Sequence, residues 1–183
     1  MSRYFIFIPN LLSIVRIGLV YPILNNIYLN NFQLSIVFFI AAALTDALDG
    51  FLARKMNWQT DLGTILDPIA DKLLLSGTIF IFWLSQLIPF YIFIIFISRD
   101  VAILLGAAIQ MTLNESETPL PNLLGKLTTS LQIIYIAVIF LKEIFSLKFG
   151  IYMLDIFIIL ITILSLIVYA YSWYKDIKIF HND

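Results

Sequence analysis

Four aspartates, Asp46, Asp49, Asp67 and Asp71, fall within the stretch TDALDGFLARKMNWQTDLGTILDPIADK that runs from Thr45 to Lys72. On helices, spacings of three and four put each pair on one face, offset by roughly 40–60° at about 100° per residue. Carboxylates gathered in a low dielectric must protonate, pair with bases or hold cations. Arg54 and Lys72 are the only bases read as local, with Lys55 placed in water, and they do not balance the four acids. An all-oxygen donor set with no His or Cys nearby suits Mg²⁺ or Mn²⁺ rather than zinc. Magnesium commonly shares its shell between a few carboxylates and substrate phosphates, so a phosphate-bearing substrate is the natural remaining ligand. Gly50 and Ala53 open a helix face to close approach, Gly63 permits a tight entry to the next helix, and Arg54 offers a fork suited to phosphate oxygens.

The elements that must position these groups are membrane helices. The chain has 183 residues, of which 61% are hydrophobic and 13% charged, and its mean hydropathy is +0.98, well above that of a water-soluble domain. With about 20 residues needed per span, the apolar runs divide as Leu11–Leu29, Phe32–Phe51, Thr64–Ser85, Leu87–Gln110, Leu123–Leu141 and Phe149–Tyr171. The expected fold is an all-α membrane protein, six transmembrane helices in a single bundle forming one domain over residues 1–183. Arg3, Arg54, Lys55, Lys126, Lys175 and Lys178 flank one side against Lys142 and Lys148 on the other, which places both termini in the cytoplasm. The acidic ends of helices 2 and 3 then lie at the cytoplasmic boundary, with Asp46 about 9 Å inside at 1.5 Å per residue. A lipid substrate keeps its phosphates at that level, so the residues point to metal-assisted phosphoryl-type transfer on a membrane lipid.

Other classes are disfavoured. The net charge of −1 leaves no basic surface for nucleic acid, and the absence of Cys removes disulfides, thiolate nucleophiles and Cys-ligated zinc. His181 is read as part of a solvated tail, and no A-x-A-like site follows the first apolar run, so that segment is expected to stay. Asn114-Glu115-Ser116 falls in a loop assigned to the cytoplasm and is not read as a glycosylation site, and Asp61 is read as a loop charge. Tyr169, Tyr171, Trp173 and Tyr174 read as an interfacial belt, and Arg16, inside the first helix, as structural or snorkelling. Taken singly, each acid could be a boundary charge and each small residue a packing contact. The acids alone would also suit a small ion transporter or proton relay.

The spacing D-x2-D-G-x2-A-R-x8-G-x3-D-x3-D, through Asp46, Asp49, Gly50, Ala53, Arg54, Gly63, Asp67 and Asp71, resembles the signature of the CDP-alcohol phosphatidyltransferases. The opening IPNLLSIVRIG is similar to that family as well, so the likeness covers nearly the whole chain. The resemblance implies transfer of a phosphatidyl group from CDP-diacylglycerol to an alcohol with release of CMP, within a homodimer. By the same resemblance Asp46, Asp49, Asp67 and Asp71 would hold two Mg²⁺ ions, with Asp71 also the general base. Gly50, Arg54 and Thr60 would bind the CDP-diacylglycerol headgroup, with Asn10 and Ser13 as further contacts.

The acceptor is read from two later stretches. Ser98-Arg99-Asp100-Val101 resembles the CDP-diacylglycerol-dependent cardiolipin synthases and favours phosphatidylglycerol. Lys126, Thr129 and Gln132 in GKLTTSLQI fit the same group, whereas Gly125-Lys126 is more similar to the phosphatidylglycerophosphate synthases, which take glycerol 3-phosphate. Arg99 and Lys126 are therefore candidate acceptor-binding residues. The alternative for Arg99 is an ion pair with Asp100 or an acid of helix 3, and for Lys126 a place in the interface.

Overall fold

Backbone in a bilayer must satisfy its own hydrogen bonds, and long Leu/Ile/Phe runs do so as helices. The computed structural model describes residues 8–56, 60–113, 123–148 and 150–180. Every regular element among them is helical: α1 Ile8–Tyr28, α2 Phe32–Met56, α3 Asp61–Leu84, α4 Phe90–Leu113, α5 Leu123–Ile144 and α6 Tyr152–Phe180. Within α2 and α5 the side chains of Arg54 and Lys126 lie outside the described residues. Among the described residues, four helices are long and apolar enough to cross a membrane, over Pro9–Tyr28, Phe32–Phe51, Leu127–Ile144 and Tyr152–Tyr171. In α3 the described side chains include Asp67, Asp71 and Lys72, three charged groups in a segment expected to span.

The helices match the expected runs in number, and their ends differ for local reasons. Helix α2 continues past Phe51 to Met56 because Arg54 and Lys55 are good helix formers and nothing there breaks the turn. Helix α3 starts at Asp61 because Thr60, extended at φ −125° and ψ 149°, caps it. Helix α4 waits until Phe90, since Pro89 has no N–H to continue a helix and instead accepts from the Ile92 N–H at 3.1 Å.

The chain divides into two compact units, Met1–Leu87 with Phe140–Leu147, and Ile88–Ile139 with Lys148–Asp183. In the first, α1 packs against α2 and α3. The Ser35 hydroxyl, buried at the start of α2, donates to the Ile23 carbonyl of α1 at 3.0 Å, and Phe39 and Phe82 meet Phe140 with ring centroids 5.7 and 5.2 Å apart. Helices α1, α3 and α5 end alike. Asn30, Gln86 and Ser146 take φ of 59°, 59° and 50°, and the next N–H bonds back to the carbonyl of Asn26, Phe82 or Lys142 at 2.8–2.9 Å. This is the left-handed C-terminal turn that reverses a chain within a few residues.

In the second unit α4 packs against α6. Phe96 meets Tyr135 edge-on at 5.8 Å. Asp155, buried in the first turn of α6, accepts from the Tyr135 hydroxyl at 2.9 Å and the Tyr91 hydroxyl at 3.3 Å. These bonds tie α4, α5 and α6 together. Tyr169 donates to the Ile103 carbonyl at 3.4 Å, so this member of the expected belt also holds α6 to α4.

Candidate active site

The site is built on a face of α1 that carries Asn10, Ser13 and Arg16, three residues apart and all buried. Residues at this spacing stack along one side of a helix, and here that side meets α2 and α3. Asn10 comes first. Its side-chain oxygen accepts from the Thr60 hydroxyl at 2.8 Å, and the Thr60 oxygen accepts from the Gly63 N–H at 3.0 Å. One threonine thus caps α3 and fastens that end to α1.

Gly63 is required by space and not by backbone conformation, because no glycine among the described residues has positive φ. A Cβ on Gly63 would lie 2.8 Å from Asn10 Oδ1 and 3.1 Å from Thr60 Oγ1. The tight entry expected at Gly63 is therefore a close approach of α1.

One turn deeper, the Ser13 hydroxyl donates to Asp67 Oδ1 and also reaches the Pro9 carbonyl, 3.1 Å away. A further turn brings Arg16, whose side chain is wholly buried. Its Nη1 contacts Asp46 Oδ1 at 3.0 Å and donates to Asp71 Oδ1, and its Nη2 donates to Asp49 Oδ2. The Asp46 and Asp71 side chains are 50% and 46% exposed and that of Asp49 3%, so the first two are open to a ligand while Asp49 faces inward.

Asp46, Asp49 and Asp71 thus meet at Arg16, while Asp67 is bound to Ser13 one turn away along α1. Of the two readings for Arg16, structural or snorkelling, the wholly buried side chain among three acids fits the structural one. A signal was present: the acids outnumbered the bases assigned to them, and Arg16 lies two three-residue steps from Asn10, about 9 Å along α1 at 1.5 Å per residue.

The donor set suits a hard divalent cation, since it consists of carboxylate oxygens already directed at one positive group. Among the described residues, however, no three or more His, Cys, Asp or Glu side chains are arranged so as to hold a metal ion. The guanidinium stands between the oxygens. Gly50 lies on α2 in the turn after Asp49, with Arg54 one turn further on.

Arg99 belongs to the second unit. Its Nη1 donates to Asp100 Oδ1 at 2.7 Å, and its Nη2 to the Gly125 carbonyl at 2.7 Å, Thr128 Oγ1 at 2.8 Å and Thr129 Oγ1 at 3.1 Å. It is 4% exposed, and this fork joins α4 to the first turns of α5. The expected pairing with Asp100 is present. Asp155 was not singled out from the sequence, where nothing distinguishes it from a boundary charge until Tyr91 and Tyr135 are seen to converge on it.

The family model of the CDP-alcohol phosphatidyltransferases matches residues 6–173. The chain is 33% identical over 178 residues to a CDP-diacylglycerol–glycerol-3-phosphate 3-phosphatidyltransferase of Aquifex aeolicus (strain VF5), covering 93% of this chain and 97% of that protein. It is 33% identical over 153 residues to the protein of the same name from Bacillus subtilis (strain 168), covering 74% and 77% of the two chains. It is also 35% identical over 164 residues to the cardiolipin synthase (CMP-forming) of Rattus norvegicus, covering 80% of this chain and 54% of that one. With the aspartate signature, the helical architecture and a match over nearly its whole length in agreement, the chain belongs to the CDP-alcohol phosphatidyltransferase family.

Proposed function

We propose that the protein transfers the phosphatidyl group of CDP-diacylglycerol to the primary hydroxyl of glycerol 3-phosphate, forming phosphatidylglycerophosphate and releasing CMP. The family membership supports the reaction class. The acceptor rests on one observation: similarity to the glycerol-3-phosphate enzyme of A. aeolicus runs almost end to end, whereas the chain spans about half the length of the rat cardiolipin synthase. This reverses the order of acceptors expected from Ser98–Val101.

In this reading Asp46, Asp49, Asp67 and Asp71 hold divalent metal, with two Mg²⁺ ions (or Mn²⁺) as the expected complement. A divalent metal held by these carboxylates would supply positive charge for the diphosphate and for the departing CMP oxygen. Asp71, half exposed on α3, takes the proton of the acceptor hydroxyl at a carboxylate oxygen. The hydroxyl oxygen bonds to the phosphorus that carries diacylglycerol as the bond from that phosphorus to the CMP oxygen breaks, and CMP leaves with the electron pair. Asn10, Ser13, Gly50, Arg54 and Thr60 line the approach of the headgroup, while Arg99 and Lys126 are assigned to the acceptor's phosphate. The proposed setting is six transmembrane spans with cytoplasmic termini, the acids at the cytoplasmic face, and a homodimer as the assembled form.

The test is an acceptor screen. Purified protein with CDP-diacylglycerol and Mg²⁺ should release CMP when glycerol 3-phosphate is added and yield phosphatidylglycerophosphate. CMP release with phosphatidylglycerol alone would reverse the choice of acceptor, and no release with either would end the reading.

A further inference from the structure

A magnesium ion binds carboxylate oxygens at about 2.0–2.1 Å, and one oxygen on each of Asp46, Asp49 and Asp71 is already engaged. Arg16 holds Asp46 Oδ1, Asp49 Oδ2 and Asp71 Oδ1 through its two terminal nitrogens. A divalent ion and a guanidinium cannot share those oxygens, for lack of space and because both are positive. Yet the guanidinium's own hold is incomplete, since its buried Nε has no hydrogen-bond partner.

We infer that Arg16 is the resident counter-cation of the acidic cluster: it holds α2 and α3 in register while metal is absent and gives up the carboxylate oxygens when metal binds. Arg16 is thus a positioning residue, which competes with metal for the site it organises. The inference rests on the assignment of the four aspartates as metal ligands. It adds a reason why a buried arginine faces them and explains how carboxylates on two helices stay close before an ion arrives.

The proposal is tested on the purified full chain in detergent after metal removal, with Mn²⁺ binding followed by the paramagnetic resonance of the free ion. Arg16→Gln should bind Mn²⁺ at least about tenfold more tightly, a lower bound set by the repulsion between a unit charge and a divalent ion about 4 Å apart even at a water-like dielectric. Its metal-free melting temperature should fall below wild type, and saturating Mg²⁺ should raise it by more than it raises wild type. Arg16→Lys retains a charge but cannot span three carboxylates, so its Mn²⁺ affinity should exceed that of wild type, a readout that stands even if Arg16→Gln fails to fold. In Arg16→Ala, added methylguanidinium should raise the metal-free melting temperature and weaken Mn²⁺ binding. Unchanged or weaker Mn²⁺ binding in both Arg16→Gln and Arg16→Lys would overturn the proposal. Asp46→Asn and Asp71→Asn separate it from the assignment beneath: if they leave Mn²⁺ binding intact, the ligand assignment fails and this inference with it. If they weaken it while the Arg16 variants do not tighten it, only the inference fails.

Discussion

The side-chain oxygen of Asn10 occupies the space that a methyl group on Gly63 would need, at 2.8 Å from where its Cβ would lie. The amide is buried and bonded to Thr60, so it cannot turn aside without breaking that bond. Gly63→Ala should therefore cost about 1–3 kcal/mol of stability, the scale of overpacking or of a buried polar group left unpaired. It should also slow CMP release, because Asp67 and Asp71 lie on the helix that must shift. Melting curves and initial rates on the same preparation would check both, and an unshifted melting temperature would show that the approach relaxes freely.

Thr60 acts through its hydroxyl alone. Thr60→Ser keeps both the cap to Gly63 and the donor to Asn10, so it should stay near wild type, whereas Thr60→Val should lose about 0.5–2 kcal/mol. Equal stabilities of the two variants would remove the capping role.

Among the acids, burial separates two kinds of defect. Asp49 sits beside a buried guanidinium and Asp71 is half exposed, so Asp49→Asn should lower the metal-free melting temperature more than Asp71→Asn. Asp71→Asn should nonetheless reduce CMP release by about 100-fold or more, the scale of losing a general base. Reversed stabilities would show that exposure does not rank these pairs.

Arg99 makes four contacts with one planar fork, which an ammonium cannot reproduce. Arg99→Lys should destabilise the protein by roughly 1.5–3 kcal/mol, as expected for hydrogen bonds to a charged group. If Arg99 also receives the acceptor's phosphate, KM for glycerol 3-phosphate should rise while that for CDP-diacylglycerol holds. A loss of stability with both KM values unchanged would leave Arg99 a tie between α4 and α5.

Gln86 and Ser146 hold left-handed backbone without being glycine, a conformation that costs an ordinary residue about 1–2 kcal/mol. Gln86→Gly should raise the melting temperature by relieving part of that cost, and a decrease would mean that the Gln86 side chain contributes more than its backbone loses.

The acidic pairs and the six helices were legible because each is written in periodicity: spacings of three and four for the aspartates, and long apolar runs for the helices. Helix ends were less so, since Thr60 as a cap and Pro89 as a start act through single backbone groups. The partners of Arg16 were not legible for a physical reason. The depth of a lone arginine suggests snorkelling until its helix is placed beside others, and only the packing of α1 against both α2 and α3 shows which charges it faces. Asp155 was missed for the same reason, since its tyrosine partners lie 64 and 20 residues away in sequence.

The burial of Arg16 also bears on how the chain is made. Inserting α1 into lipid by itself would expose an arginine that costs roughly 2.5–3.5 kcal/mol at the centre of a span. Asp46 and Asp49 follow on α2 and Asp71 on α3, so the charge is matched only as later helices emerge. The charge balance of this core is therefore complete only once α1, α2 and α3 lie together.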